Sequence, residues 1–183
     1  MATIKYKSPF APYAFVDSAT VTATPSTTNN TMFNLGDLVQ LKGTNEVYRL
    51  VTFDNNGSAD VDFAADILCF KYNGWESGGT FTVRQDVSDC GEAAGICPHV
   101  IDISALSGDV IGWIQVGGEA HVTNHDGTCP LGAPLSSGQV DAGTFDVSAA
   151  GEAIIAHVVN DEGTTTPVVD LCLPGVMPVP VNG

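Results

Sequence analysis

The sequence predicts an all-β fold, a single β-sandwich or barrel-like domain, on three observations. Short stretches alternate apolar and polar residues with a period of two, and β-branched and aromatic side chains dominate them. Twenty glycines and ten prolines are scattered without a repeat, as many short strands joined by tight turns require. Residues 110–116 alternate Val110, Gly112, Ile114 and Val116 against Ile111, Trp113 and Gln115. Both of those faces are apolar, so this stretch belongs inside a sandwich or barrel.

Residues 1–33 read as an extended arm, because Ser, Thr, Pro25 and the Asn29-Asn30 pair interrupt regular structure. The alternation at 20–24 is enough for one strand added to a neighbouring sheet edge. Residues 34–174 form the β-domain. Strands are expected at 38–41, 46–53, 67–72 and 80–84. In 46–53, Val47, Val51 and Phe53 share a face with Arg49, which makes that face only partly apolar. Asp54-Asn55-Asn56-Gly57 signals a turn. Residues 89–94 carry the one expected helical turn, with Asp89 as cap, Glu92 three residues on and Gly95 as stop. Gly117-Gly118 predicts a tight hairpin turn that sends 119–123 back as the partner strand. Strands at 140–147, 153–159 and 168–173 complete the pattern. Residues 175–183 hold Pro178 and Pro180 and read as an extended tail.

The formal charge is −15, and it is unevenly spread. Residues 85–183 contain 13 acids and no Lys or Arg, while residues 1–84 hold eight acids and all six cations. Such a surface repels polyanions, so no nucleic-acid partner is expected. No apolar run approaches the roughly 20 residues that span a bilayer, and residues 1–10 lack a signal-like apolar stretch. We therefore expect neither membrane nor export. Five dispersed cysteines are too few for a disulfide scaffold, and reduced thiols are expected. Cys69 and Cys172 sit among apolar residues and should pack as small hydrophobes.

No recognised catalytic motif occurs, and no enzymatic activity or cofactor is expected. Asp54, Asn56, Ser58, Asp60 and Asp62 alternate as in a calcium loop, but Gly57 stands fourth rather than sixth and Ala65 replaces the terminal acid. A polar hairpin turn is the better reading. His121, His125 and Cys129 recur every fourth residue, with Cys90, Cys97 and His99 upstream, and are zinc-type ligands. That spacing suits a helical face, whereas 124–130 reads as loop, so no metal is expected. His157 falls in a strand and reads as a packed or interface residue. Trp75, in a glycine-rich turn, is either a sugar-stacking platform or a hairpin plug or oligomer contact, and the latter two are favoured.

The stretch IDISALSGDVIGWIQVGGEAHV, followed by CPLGAPLSSG, AAGEAIIAHVVND and PVVDLCLP, resembles small structural proteins of tailed-bacteriophage heads. The matching residues are Gly108, Gly112, Trp113, Ile114, Gln115, Val116 and Gly118, then Gly132 and Leu135, then Ala149, Gly151 and Ala153. The likeness covers roughly residues 96–174; the segment from Cys90 to Cys97 and the HxxxHxxxC loop depart from it. It implies a capsid decoration, or cement, protein: a homotrimer seated on the outside of the head over junctions of the major capsid protein. The stretch Val110–Gly118 would then be its core hairpin. Lys5, Lys7, Phe10, Tyr13 and Phe15 of the arm would dock on the shell. A receptor-binding or tail-fibre module, or a small extracellular enzyme or glycan-binding, lectin-like β-sandwich with a metal, is the alternative.

Overall fold

The computed structural model describes residues 35–40, 44–54, 63–72, 75, 81–85, 92–101, 110–124, 129–137, 143–160 and 166–173. The arm, the tail and residues 55–62 therefore lie outside the described residues. Those that are described form strands and turns, and no helix occurs among them.

Ten strands follow one another along the chain: β1 (Leu38–Gln40), β2 (Val47–Phe53), β3 (Ile67–Tyr72), β4 (Thr82–Arg84), β5 (Ala93–Cys97), β6 (Val110–His121), β7 (Pro134–Ser137), β8 (Phe145–Val147), β9 (Ala156–Asn160) and β10 (Val168–Leu171). Five of them close a barrel in the order β2-β4-β3-β5-β6, with β6 returning to β2. The β2–β4 pair is parallel and the other pairs are antiparallel. Closure removes the free edges that an open sheet leaves exposed. β1 shares one edge of β2 with β4, pairing at Val47 to Arg49 while β4 takes Thr52 and Phe53.

β6 does not end at the barrel. Its first part pairs with β2 from Val110 to Gly117, and its last four residues, Gly118 to His121, pair with β10. A second antiparallel sheet then runs β6-β10-β9-β7-β8. This sheet curls back on the chain just past β6: Asn124 bridges Phe145, and the Phe145 amide donates to the Thr123 carbonyl at 2.9 Å.

The hairpin expected at Gly117-Gly118 is thus one continuous strand. A two-residue turn of that kind needs positive φ at its first position, and in the type I′ form at both. Only Gly118 has it, at φ 80°. The register slips there, with Val47 opposite Gly117 but Tyr48 opposite Gln115. This is a β-bulge, in which an extra residue bends the strand from one sheet into the next.

The described even positions of β6 point inward. Ile114, Val116 and Ala120 join a core with Val51, Phe53, Phe63, Leu68, Val83, Ile96, Leu135, Phe145, Val158 and Val169. Gly112 makes room for the Phe53 ring, which would lie 3.0 Å from a Cβ at that position. Phe53 in turn meets Phe63 edge-on at 4.8 Å. The other face of β6 is covered as well, since Trp113 packs with Tyr48 and Leu50 under Leu35, Val39 and Ile111.

The helical turn expected at 89–94 is corrected where it is described: Ala93 and Ala94 begin β5. Gly95 stops no helix. It lets β5 close on β6, where a Cβ would come within 2.6 Å of the Gln115 carbonyl oxygen. β7 forms where the sequence pattern predicts no strand; Pro134 occupies its first position, where proline is tolerated. Of the strand expected over 140–147, residues 140–142 lie outside the described residues; among the rest Phe145–Val147 is strand, after Gly143 turns the chain and accepts a 2.7 Å bond from the Leu68 amide.

Candidate functional site

Among the described residues no group of three or more His, Cys, Asp or Glu side chains is placed to hold a metal ion. His121 is exposed on β6 and Cys129 is wholly buried, while His125 lies outside the described residues, as does Cys90. Cys97 is buried and donates its thiol proton to the His99 carbonyl at 3.0 Å. Cys69 is buried beside it, and burial together with Cys97 pushes its thiol well above the usual cysteine range. Such a thiol stays protonated and unreactive. The calcium-like loop at 55–62 is outside the described residues, and its first acid is committed elsewhere: Arg84 Nε donates to Asp54 Oδ2 at 2.5 Å.

Trp75 is a plug. It packs against the core and meets Phe81 edge-on at 5.3 Å. Arg49 lies 5.6 Å from the Trp75 ring centre and Lys71 lies 5.5 Å from it, so two cations flank an aromatic pair. Its rings are engaged in internal contacts rather than offered to a sugar.

That arrangement accounts for the described cations. Arg49 faces Trp75 and Phe81; Lys71 pairs with Glu92 at 2.7 Å; Arg84 pairs with Asp54 and stacks 3.3 Å over Tyr72. The remaining three, Lys5, Lys7 and Lys42, are outside the described residues. What the described body turns outward is therefore acidic, including Glu119 and Asp170, which sit opposite each other on β6 and β10. A few large apolar side chains interrupt it, of which Leu131 at 71% and Val100 at 67% are the most exposed.

The junction of the two sheets carries a strained residue. Asp66 has φ 63°, and its amide donates to Cys97 while its carbonyl accepts from Thr123, both at 2.7 Å. It thereby ties the end of β5 to the chain just after β6. Burial raises its carboxyl pKa, an effect that His121 and His99 partly offset. Burial lowers the His99 pKa, and Asp66 partly offsets that.

The predicted core residues Gly112, Trp113, Ile114, Val116 and Gly118 all lie on β6, as does Val110. Lys5, Lys7, Phe10, Tyr13 and Phe15 fall outside the described residues. Cys172 departs from expectation. It is exposed, and its Sγ lies 3.4 Å from Nδ1 of His157. The two residues are fifteen apart in sequence, and only the β9–β10 pairing joins them. Both fall on the outward parity of expected strands, a signal that strand pairing would have turned into a contact.

No family model and no curated protein sequence matches the chain. One solved structure similar to it is the N base of the head fiber gp8.5 of bacteriophage phi29. That match has 9% sequence identity and a TM-score of 0.43, and it covers 69% of this chain and 94% of that one.

Proposed function

We propose that this chain is a structural protein of a tailed-phage head, a decoration or cement protein. It sits on the outside of the shell and holds neighbouring capsomers of the major capsid protein together by contact, turning over no substrate. The observation that carries the reading is the head-protein-like motif falling on β6, where each residue has a mechanical reason. Gly112 admits Phe53, Trp113 seals the outer face, Ile114 and Val116 fill the core, and Gly118, just past the bulge, admits the Asn45–Glu46 backbone. A body braced by one strand through two sheets is stiff, as a clamp must be.

The charge supports the same division of labour. With the described cations tied to internal aromatics and acids, docking on the shell falls to the arm, through Lys5 and Lys7 with Phe10, Tyr13 and Phe15. Many copies act together, so modest affinity at each contact still resists internal pressure. Self-association as a homotrimer multiplies the arms available to one particle.

Electron microscopy of the parent particle tests the location, with density for this chain expected on the head exterior. Location at the tail tip, or specific glycan binding by the purified chain, would favour a receptor-binding module instead. A protein lacking residues 1–30 is expected to keep its fold and lose capsid binding. Full-strength binding by that truncation removes the arm from the mechanism.

A further inference from the structure

On the outer face of the second sheet the structure assembles two metal-type ligands that the decoration reading does not use. His157 is exposed on β9 and Cys172 is exposed just past β10. The backbone holds both in place: the Cys172 amide donates to the Ile155 carbonyl at 2.8 Å, and Asp170 lies opposite His157 in the ladder. Their ligating atoms, Sγ and Nδ1, are 3.4 Å apart. Zinc binds cysteine sulfur at about 2.3 Å and histidine nitrogen at about 2.0–2.1 Å, so a tetrahedral ion places these two donors about 3.5 Å from each other.

We propose that Cys172 and His157 form a half-site for a thiophilic divalent cation of the zinc class. The chain supplies two of four ligands, and the other two positions open onto solvent, where water completes them. The surroundings favour a cation. Asp170 lies across the ladder from His157, and Glu119 lies across from Asp170, so two carboxylates share the exposed face. Cysteine ligates as the thiolate, so capture displaces a proton from sulfur and strengthens as the pH rises. The other described cysteines, Cys69, Cys97 and Cys129, are buried and do not compete for an ion arriving from solvent.

The probe is Co²⁺ added to the reduced, metal-free protein. The expected result is a near-ultraviolet sulfur-to-cobalt absorption that saturates at one cobalt per chain, grows with pH and is displaced by Zn²⁺. Saturation at half an equivalent with a doubled mass supports the same two ligands, with a second copy replacing the waters. Cys172→Ser is expected to abolish the absorption and His157→Ala to weaken cobalt binding at least tenfold, while Cys90→Ser changes neither. On the unaltered protein, Zn²⁺ is expected to slow alkylation of Cys172. Absence of the absorption, its persistence in Cys172→Ser, or unprotected alkylation overturns the proposal. None of these results bears on where the chain sits in a particle.

Discussion

At the scale of single residues, three positions separate what backbone geometry demands from what packing demands. Gly118 combines a positive φ with close approach of the Asn45–Glu46 backbone, so an added Cβ is both strained and obstructed. The left-handed conformation costs a non-glycine residue about 1–2 kcal/mol, and forced overpacking adds about 1–3. Gly118→Ala is therefore expected to lose about 3 kcal/mol, a fall of roughly 10 °C in Tm by thermal unfolding. Gly132 has a similar φ of 77° but nothing within 4 Å of its missing Cβ. Gly132→Ala should cost only about 1 kcal/mol. Equal losses at the two sites would mean that backbone approach at the bulge is unimportant. Asn124 is the opposite case, a buried side chain whose amide nitrogen and oxygen both lack hydrogen-bond partners among the described residues. A buried polar group without a partner pays desolvation for nothing, and an apolar replacement of similar shape removes that penalty. Asn124→Leu is expected to unfold at a temperature no lower than the parent, unlike most core substitutions; a marked drop would show the amide to be essential.

At the scale of elements, β6 explains both what the sequence discloses and what it conceals. The period-two alternation places the strand and sorts its faces, because alternation depends on local backbone geometry alone. The same residues mislead at Gly117-Gly118, since a glycine pair suits a hairpin and a bulge alike, and only pairing with β2 decides between them. β5 was hidden because Ala, Gly and Cys carry little strand signal, while the small side chains are what let β5 approach β6. Gln115 shows how a polar residue can belong to such a strand. It is 5% exposed, and its side-chain amide donates to the Glu119 carbonyl at 2.6 Å and the Gly117 carbonyl at 3.3 Å, spanning the bulge. Gln115→Leu is expected to lose about 1–3 kcal/mol by leaving those carbonyls without the donor, with faster amide exchange at 117–121 as the local readout. The turn before β9 is pinned differently. Ser136 donates its hydroxyl proton to Glu152 Oε2 at 2.6 Å, and the Ala149 amide donates to the same oxygen at 2.8 Å. Those bonds, the Ser136 one foremost, hold the Glu152 carboxyl below the usual glutamate range. A carboxyl depressed on folding stabilises above its unfolded pKa, and that contribution disappears as the pH falls through the folded one. Exchange at 148–152 should therefore quicken on acidification below about 4.5, and Glu152→Gln should remove that pH dependence.

At the scale of the whole molecule, the question is whether charge holds this chain together or pushes it apart. Its net charge of −15 is a global repulsion, whereas its six cations bound the number of attractive ion pairs against 21 acids. Of the two described pairs that join a Lys or Arg to an acid, Lys71–Glu92 has a 59% exposed glutamate and contributes at most about 1 kcal/mol. Arg84–Asp54 is largely buried, at 14% and 16% exposure, and salt screens it weakly. Screening therefore removes more repulsion than attraction. Raising the ionic strength from about 0.01 M to 0.15 M shortens the Debye length from about 30 Å to about 8 Å, and the Tm is expected to rise across that range. A fall would show that exposed ion pairs dominate the stability. If the arm docks on an acidic shell surface as proposed, binding through Lys5 and Lys7 should respond in the opposite direction, weakening as salt screens the contact. A body that gains stability while its docking loses affinity, over one and the same salt titration, would separate the arm from the β-domain. Affinity that holds steady or rises with salt would move the contact to the exposed apolar residues of the body, such as Leu131 and Val100.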